Sequence, residues 1–194
     1  MIPVSDHTIA MNCAPTLAGI KTGSMFSVSY TNRKSFMREL SELNTVLTRH
    51  GLCAVLLRYM NKRALVYIFR PDDLRQDLLD PAAIAILRER GYTESDPRIC
   101  LQQLIRQFRQ SKDFPHEVGL FLGYPPEDVR GFIANPHSGY HCVGCWKVYG
   151  DRTKAEQLFD RYRRCTKAYC RETARGTALE KLIVSTRRTA FEPT

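Results

Sequence analysis

The chain has 194 residues, of which 43% are hydrophobic and 25% are charged, and its formal net charge is +9. This length and composition predict one globular domain over residues 1–194. They argue against a membrane protein, because no apolar run reaches the roughly 18 residues that a membrane helix needs. The N-terminal segment has no basic stretch followed by an apolar one, so we predict no signal peptide and a cytoplasmic location.

Two features of the composition bear on partners. Residues 147–194 contain 12 Lys and Arg against 6 Asp and Glu, which favours either an anionic partner or simply a solvated, basic helix face. The seven cysteines are expected to stay reduced in the cytoplasm. They are therefore buried small side chains, metal ligands or reactive thiols.

The first elements are read in chain order. Residues 1–24 are rich in small and turn-forming types and predict an N-terminal arm without regular structure. Residues 25–30, MFSVSY, alternate as a strand does. A clear amphipathic helix follows over about 33–50, capped by Thr31 or Asn32, with apolar residues at helical spacing.

The middle of the chain mixes strands and helices. Residues 52–70 form two β-rich runs around Asn61-Lys62, a predicted hairpin. Two short helices begin at Pro71 and end at Gly91, and a third runs from Pro97 to about Gln110. Because the order has no βαβ rhythm, we predict an α+β fold in which a sheet with a central hairpin is packed by several amphipathic helices.

The C-terminal part is predicted to be one long helix, about 151–175, followed by a flexible tail at 185–194. Cys165 and Cys170 lie on this helix about 140° apart at 100° per residue. On a regular helix they cannot both point at one ion.

A helical hairpin is predicted over residues 116–133. The spacing of its apolar and glycine residues resembles a helix-turn-helix. The second helix, however, would begin with Glu127 and Asp128, which suit a helix N-terminus and would repel DNA phosphates. We therefore predict that this segment does not bind nucleic acid, with Val118, Leu122, Val129 and Phe132 buried.

The cysteines of GYHCVGCWKVYGD, residues 139–151, carry the strongest chemical signal. Cys142 and Cys145 have the spacing of half a zinc or iron site, and Cys165 and Cys170 would supply the other half. The five-residue spacing of the second pair departs from zinc-ribbon geometry. The alternative is that all four thiols pack against Trp146 and the face of the long helix.

The segment NCAPTLAGIKTGSMFS, residues 12–27, is the second candidate site. It combines a thiol, hydroxyls and one lysine between glycines, and its backbone N–H groups could form an anion-binding nest. We predict that Cys13, Thr16, Lys21 and Ser24 bind a small anionic ligand, with Cys13 the candidate nucleophile if the protein is an enzyme. The arm's apolar residues need burial, so it should fold over the sheet. The alternative is an arm that only covers a sheet edge.

Three motifs together resemble one bacterial family, the domain of unknown function numbered thirty-seven ninety-three. They are NCAPTLAGIKTGSMF, FPHEVGLFLGYPPEDVRGFI and CVGCWKVYGD followed by AEQLFDRYRRCTKAYC. The resemblance covers nearly the whole chain and implies a single cytosolic domain. The family occurs mainly in anaerobes, often encoded beside flavodoxins and ferrous-iron transporters, which implies iron, haem or redox biology for the cysteines and no particular reaction.

The sequence thus leaves three hypotheses. The first is a protein that binds a small ligand or a metal, zinc or iron with haem possible, through its cysteine-bearing segments. The second is a thiol-dependent enzyme that uses Cys13, with Lys21 holding an anionic substrate. The third is a nucleic-acid-binding protein that uses the helix-turn-helix-like segment.

Overall fold

A three-stranded antiparallel sheet lies at the centre of the computed structural model, which describes residues 5–111 and 113–185. The strands are β1 (Gly23–Ser29), β2 (Cys53–Met60) and β3 (Arg63–Phe69), in the order β1-β3-β2. The central strand alternates between two apolar faces, because Ala64, Val66 and Ile68 face one core and Leu65, Tyr67 and Phe69 face the other. Both faces of the sheet are therefore covered.

Helices form the two layers around the sheet. Their bounds in the described residues are α1 (Asp6–Leu17), α2 (Arg33–Arg49), α3 (Pro71–Leu78), α4 (Pro81–Glu89), α5 (Pro97–Gln110), α6 (Val118–Phe121), α7 (Pro126–Ala134), α8 (Arg152–Ala174) and α9 (Leu179–Leu182). α3 to α7 cover one face of the sheet, and α1, α2 and α9 cover the other. The predicted α+β fold with a central hairpin is confirmed.

Local signals explain most boundaries. The side chain of Asn32 accepts hydrogen bonds from the N–H groups of Lys34 and Ser35, which starts α2 as predicted. Asn61 and Lys62 both have positive φ, 47° and 59°, the turn that matches the twist of a tight hairpin. The first residues of α3, α4 and α5 are Pro71, Pro81 and Pro97. The missing N–H of proline costs nothing at this position, because the first N–H groups of a helix have no partner within it.

The N-terminal arm is the main correction. Residues 6–17 form the helix α1 where a loop was predicted, and Ser5 caps it by accepting from the N–H of Thr8 at 3.2 Å. Ile9, Cys13 and Leu17 pack into the core beneath the sheet, so the predicted burial of the arm is confirmed. The helix also packs along α8. Met11 is 54% exposed whereas Thr16 is fully buried, so the sequence shows little contrast between a polar and an apolar face.

A second, two-stranded sheet leads into α8. Its strands are β4 (Cys142–Val143) and β5 (Lys147–Val148). The long C-terminal helix is confirmed. Of the predicted tail only Ser185 lies within the described residues, and its hydroxyl is 2.7 Å from Nδ1 of His50. None of the described helices combines the length and apolar character that crossing a bilayer requires.

Candidate functional site

The β4–β5 hairpin is held in place by one buried carboxylate. Asp128, only 3% exposed, lies in the first turn of α7. Its Oδ2 accepts from Nε1 of Trp146 at 2.6 Å, and its Oδ1 accepts from the N–H groups of Tyr149 and Gly150 at 2.7 Å each. Asp128 lies in the first turn of a helix as predicted. Its side chain, however, accepts hydrogen bonds from another segment of the chain.

The other side of the hairpin rests on α8. Gly144 packs so tightly on the ring of Phe159 that an added Cβ would lie 2.2 Å from ring carbons. Trp146 stacks on Tyr124 with ring centroids 4.5 Å apart. It also makes an edge-to-face contact with Phe159, with ring centroids 4.6 Å apart. Cys145 lies between Gly144 and Trp146 in the turn, and it is exposed at the surface of this cluster.

Lys21 reaches the same place from the turn between α1 and β1. Its ammonium group lies 5.2 Å from the ring centroid of Tyr124 and donates to the carbonyl of Gly23. Among the described residues no carboxylate lies within ion-pair distance of it. Burial lowers the pKa of Lys21 to about 8, while the thiols of Cys13 and Cys145 favour its charged form.

A cavity of about 570 Å³ opens at Lys21, and we call it the cationic cavity. Three segments supply its polar lining: α1, the β1 region and α8. The residues are Asn12, Lys21, Ser24, Arg163, Thr166 and Lys167. Its other walls include Met25, Leu122, Tyr124, Cys145 and Tyr162. The described lining thus holds three cationic side chains and no carboxylate, which is the charge pattern of an anion site.

A second cavity of about 440 Å³, the apolar cavity, lies on the other side of Tyr124. Aromatic and aliphatic side chains form most of its wall, including Phe114, Val118, Val129, Phe132, Val143 and Trp146. Met25, Leu122, Tyr124 and Cys145 line both cavities. The two cavities are therefore neighbours that share one wall.

The predicted anion-binding residues divide into two pairs. Lys21 and Ser24 line the cationic cavity. Cys13 and Thr16 are completely buried behind it, and the Thr16 hydroxyl is 2.9 Å from that of Ser24. Burial raises the pKa of the Cys13 thiol far above its usual value, so the prediction of Cys13 as a nucleophile has no support in this geometry.

Cys145 is the thiol that the structure places at the cavity. Partial desolvation raises its pKa, and the positive charges of Lys21 and Arg163 oppose that rise. The sequence analysis placed Cys145 in a metal site and did not connect it with Lys21. The two residues are 124 positions apart.

The predicted four-cysteine metal centre is not assembled. Cys142, Cys165 and Cys170 are half-buried and Cys145 is exposed. Within residues 5–111 and 113–185, no three or more His, Cys, Asp or Glu side chains form a group that could hold a metal ion. Cys165 instead lies beside Arg161 and Tyr169 on its own helix. A Cys-x₂-Cys spacing is typical of one half of such a site, but it does not bring in a second pair.

The helix-turn-helix-like segment forms the predicted helical hairpin, α6 and α7, with Gly123 at φ 73° in the turn. Val118, Leu122 and Val129 are buried, whereas Phe132 is only half-buried at the apolar cavity. Glu127 is exposed in the first turn of α7, and Arg130 binds both carboxylate oxygens of Glu89, at 2.9 and 3.1 Å. The absence of nucleic-acid binding by this segment stays a prediction.

Sequence reasoning missed Asn12, Tyr124, Arg163, Thr166 and Lys167 as lining residues. Arg163 and Lys167 are four residues apart on α8, so they share a helix face. That spacing was visible in the sequence. What it could not show is that this face, among several basic ones, meets Lys21.

Comparison with known proteins gives one match. The family model described as Protein of unknown function (DUF3793) matches residues 9–183. The chain matches no curated protein and no solved structure.

Proposed function

We propose that this protein, which belongs to the DUF3793 family, binds a small anion in its cationic cavity. The observation that carries the proposal is Lys21, a half-buried ammonium group in a cavity whose described lining has no carboxylate. A desolvated cation without a counter-charge is costly. A bound anion would supply that counter-charge.

The other cations are arranged to help. Arg163 and Lys167 line the same cavity from α8, and the hydroxyls of Ser24 and Thr166 offer neutral donors. Arg163 approaches Asp160 at 3.4 Å, but its side chain is 75% exposed. Such an exposed pair is weak and leaves the guanidinium able to turn to a ligand.

A thiol-dependent enzyme is a second proposal, but its nucleophile would be Cys145 and not the buried Cys13. Cys145 lines the cationic cavity beside Lys21 and Arg163, so an anionic substrate bound there would meet this thiol. The pKa of Cys145 is already raised, and a bound anion would raise it further by disfavouring the thiolate, which counts against this second proposal. Anion binding itself does not depend on this chemistry.

Calorimetric titration with inorganic phosphate and with methanesulfonate tests the proposal. Lys21→Gln should weaken both affinities by about tenfold or more, since hydrogen bonds to charged groups contribute roughly 1.5–3 kcal/mol. Arg163→Gln should weaken them too. Lys154→Gln is the matched control, because Lys154 is 85% exposed on the same helix as Arg163 and lies outside the cavity. Equal losses in Lys21→Gln and Lys154→Gln would show general charge attraction and refute the site.

A further inference from the structure

The apolar cavity has no evident use in binding a small inorganic anion. It is nevertheless large, about 440 Å³, and both cavities fall within the roughly 300–1,000 Å³ of small-molecule sites. Tyr124, which is half-buried, forms part of the wall between them. Its ring has Lys21 on the side of the cationic cavity and stacks with Trp146 of the apolar cavity.

The polar side chains that line the apolar cavity already have partners. Asp128 accepts its three hydrogen bonds from the β4–β5 hairpin and the residues after it. Lys147 donates to the carbonyl of Pro136 at 2.6 Å and lies 4.7 Å from the ring centroid of Tyr140. The ring of His116 lies between Phe114 and Phe132, 5.6 and 5.1 Å from their centroids. What the cavity offers to a ligand is therefore apolar surface.

We propose that one amphiphilic anion spans both cavities, with an acyl or aryl body against Trp146 and an anionic head at Lys21 and Arg163. This inference rests on the proposed function and adds the chemical class of the ligand. Met25 and Leu122 line both cavities beside Tyr124, so the surface that a carbon chain would follow from one to the other is apolar. Apolar burial supplies affinity and the cations fix the orientation.

The ligand is taken to be a free small molecule. Its apolar part must fit a cavity of about 440 Å³, which suits a medium-length chain or a small ring system better than a two-chain lipid. A membrane lipid would share the same head chemistry, so one arm of the test addresses it.

The test is a series of alkylsulfonates, from methanesulfonate through butanesulfonate to octanesulfonate, which stay charged at every working pH. Trp146 is the only tryptophan and lines the apolar cavity, so its fluorescence reports on the body of the ligand. Affinity should rise about fourfold for each added methylene, the factor that corresponds to burying one CH₂. The emission of Trp146 should change with octanesulfonate and not with methanesulfonate.

Two variants separate head from body. Lys21→Gln should weaken every sulfonate by the same factor, because all share the head. Val143→Glu should weaken octanesulfonate alone by tenfold or more, since it puts a charge at the apolar cavity from a residue that is 62% exposed and tolerates change. Val184→Glu, at another exposed valine outside both cavities, is the control of equal charge.

Each result bears on a different claim. Affinity that depends on Lys21 but not on chain length would overturn the amphiphile and leave the small-anion site intact. Chain-length dependence that is unaffected by Lys21→Gln would overturn the placement of the head and the proposed function with it. Co-sedimentation with phosphatidylglycerol vesicles that is lost in Lys21→Gln would overturn the free ligand in favour of a membrane lipid.

Discussion

Asp128 offers a direct test of how the site is built. Its carboxylate accepts from Nε1 of Trp146 and from two backbone N–H groups, those of Tyr149 and Gly150. Asp128 is 3% exposed and Trp146 is buried, whereas Tyr149 and Gly150 are half-buried. The β4–β5 hairpin, and Cys145 with it, therefore depends on one side chain of α7.

The size of the effect follows from counting donors. Asp128→Ala leaves three donors without their acceptor, of which Nε1 of Trp146 is buried and the two backbone N–H groups are half-buried, and each such group costs about 1–3 kcal/mol when it is buried. We expect a loss of at least about 3 kcal/mol in the free energy of unfolding. Asp128→Asn keeps an oxygen for the two backbone groups but turns an N–H toward Nε1 of Trp146, so its loss should be about 1–3 kcal/mol.

Urea unfolding followed by circular dichroism measures both losses without relying on Trp146 fluorescence. Glu127→Gln is the control, because Glu127 is the adjacent carboxylate of the same turn and is exposed. An exposed charge at a helix N-terminus contributes only about 0.3–1 kcal/mol. If Asp128→Ala and Glu127→Gln cost the same, the three hydrogen bonds do not hold the hairpin and this account of the site is wrong.

Three further outcomes are expected. Arg70→Lys should lower the free energy of unfolding in urea by about 1–3 kcal/mol. The buried guanidinium donates to the carbonyls of Thr16, Leu17 and Val184 at 2.7 Å each, and an ammonium group cannot reproduce this set of three directed hydrogen bonds. An unchanged free energy would contradict the prediction. Methanesulfonate affinity should be full below the Lys21 pKa of about 8 and fall as pH rises through it, with the midpoint displaced upward by the bound anion, whereas Lys21→Gln should give a flat profile. Peptide mapping after brief iodoacetamide treatment should find Cys145 alkylated before the buried Cys13 and Cys53, and octanesulfonate should slow that reaction; early modification of Cys13 would contradict its burial.

The sequence predicted the parts of the fold that local chemistry determines. Asn61-Lys62 between two β-rich runs indicated a hairpin, and Asn32 followed by apolar residues at helical spacing indicated α2. Both were confirmed. The failure at α1 has a physical cause, since an exposed Met11 and a buried Thr16 blur the contrast between the polar and the apolar face of the helix.

The site was beyond such reasoning for a different reason. Its members come from α1, the turn before β1, β1 itself, the α6–α7 connection, the β4–β5 hairpin and α8, and no local pattern indicates which of these segments meet. Lys21 and Ser24 were identified because the segment that carries them is unusual in itself. Cys145 was identified by its spacing from Cys142, which suggested a metal site, and no group of metal ligands forms among the described residues.

The net charge of +9 is not by itself good evidence for an anionic partner. Many cations of α8 pair with carboxylates one turn away, as Arg152 does with Glu156 and Arg164 with Asp160. These side chains are 48–76% exposed, so the pairs contribute little and any partner would compete with water and salt for them. Lys21 differs because it is half-buried and faces a cavity that holds no described carboxylate. One desolvated lysine is therefore a stronger indication of an anionic ligand than the whole basic surface of α8.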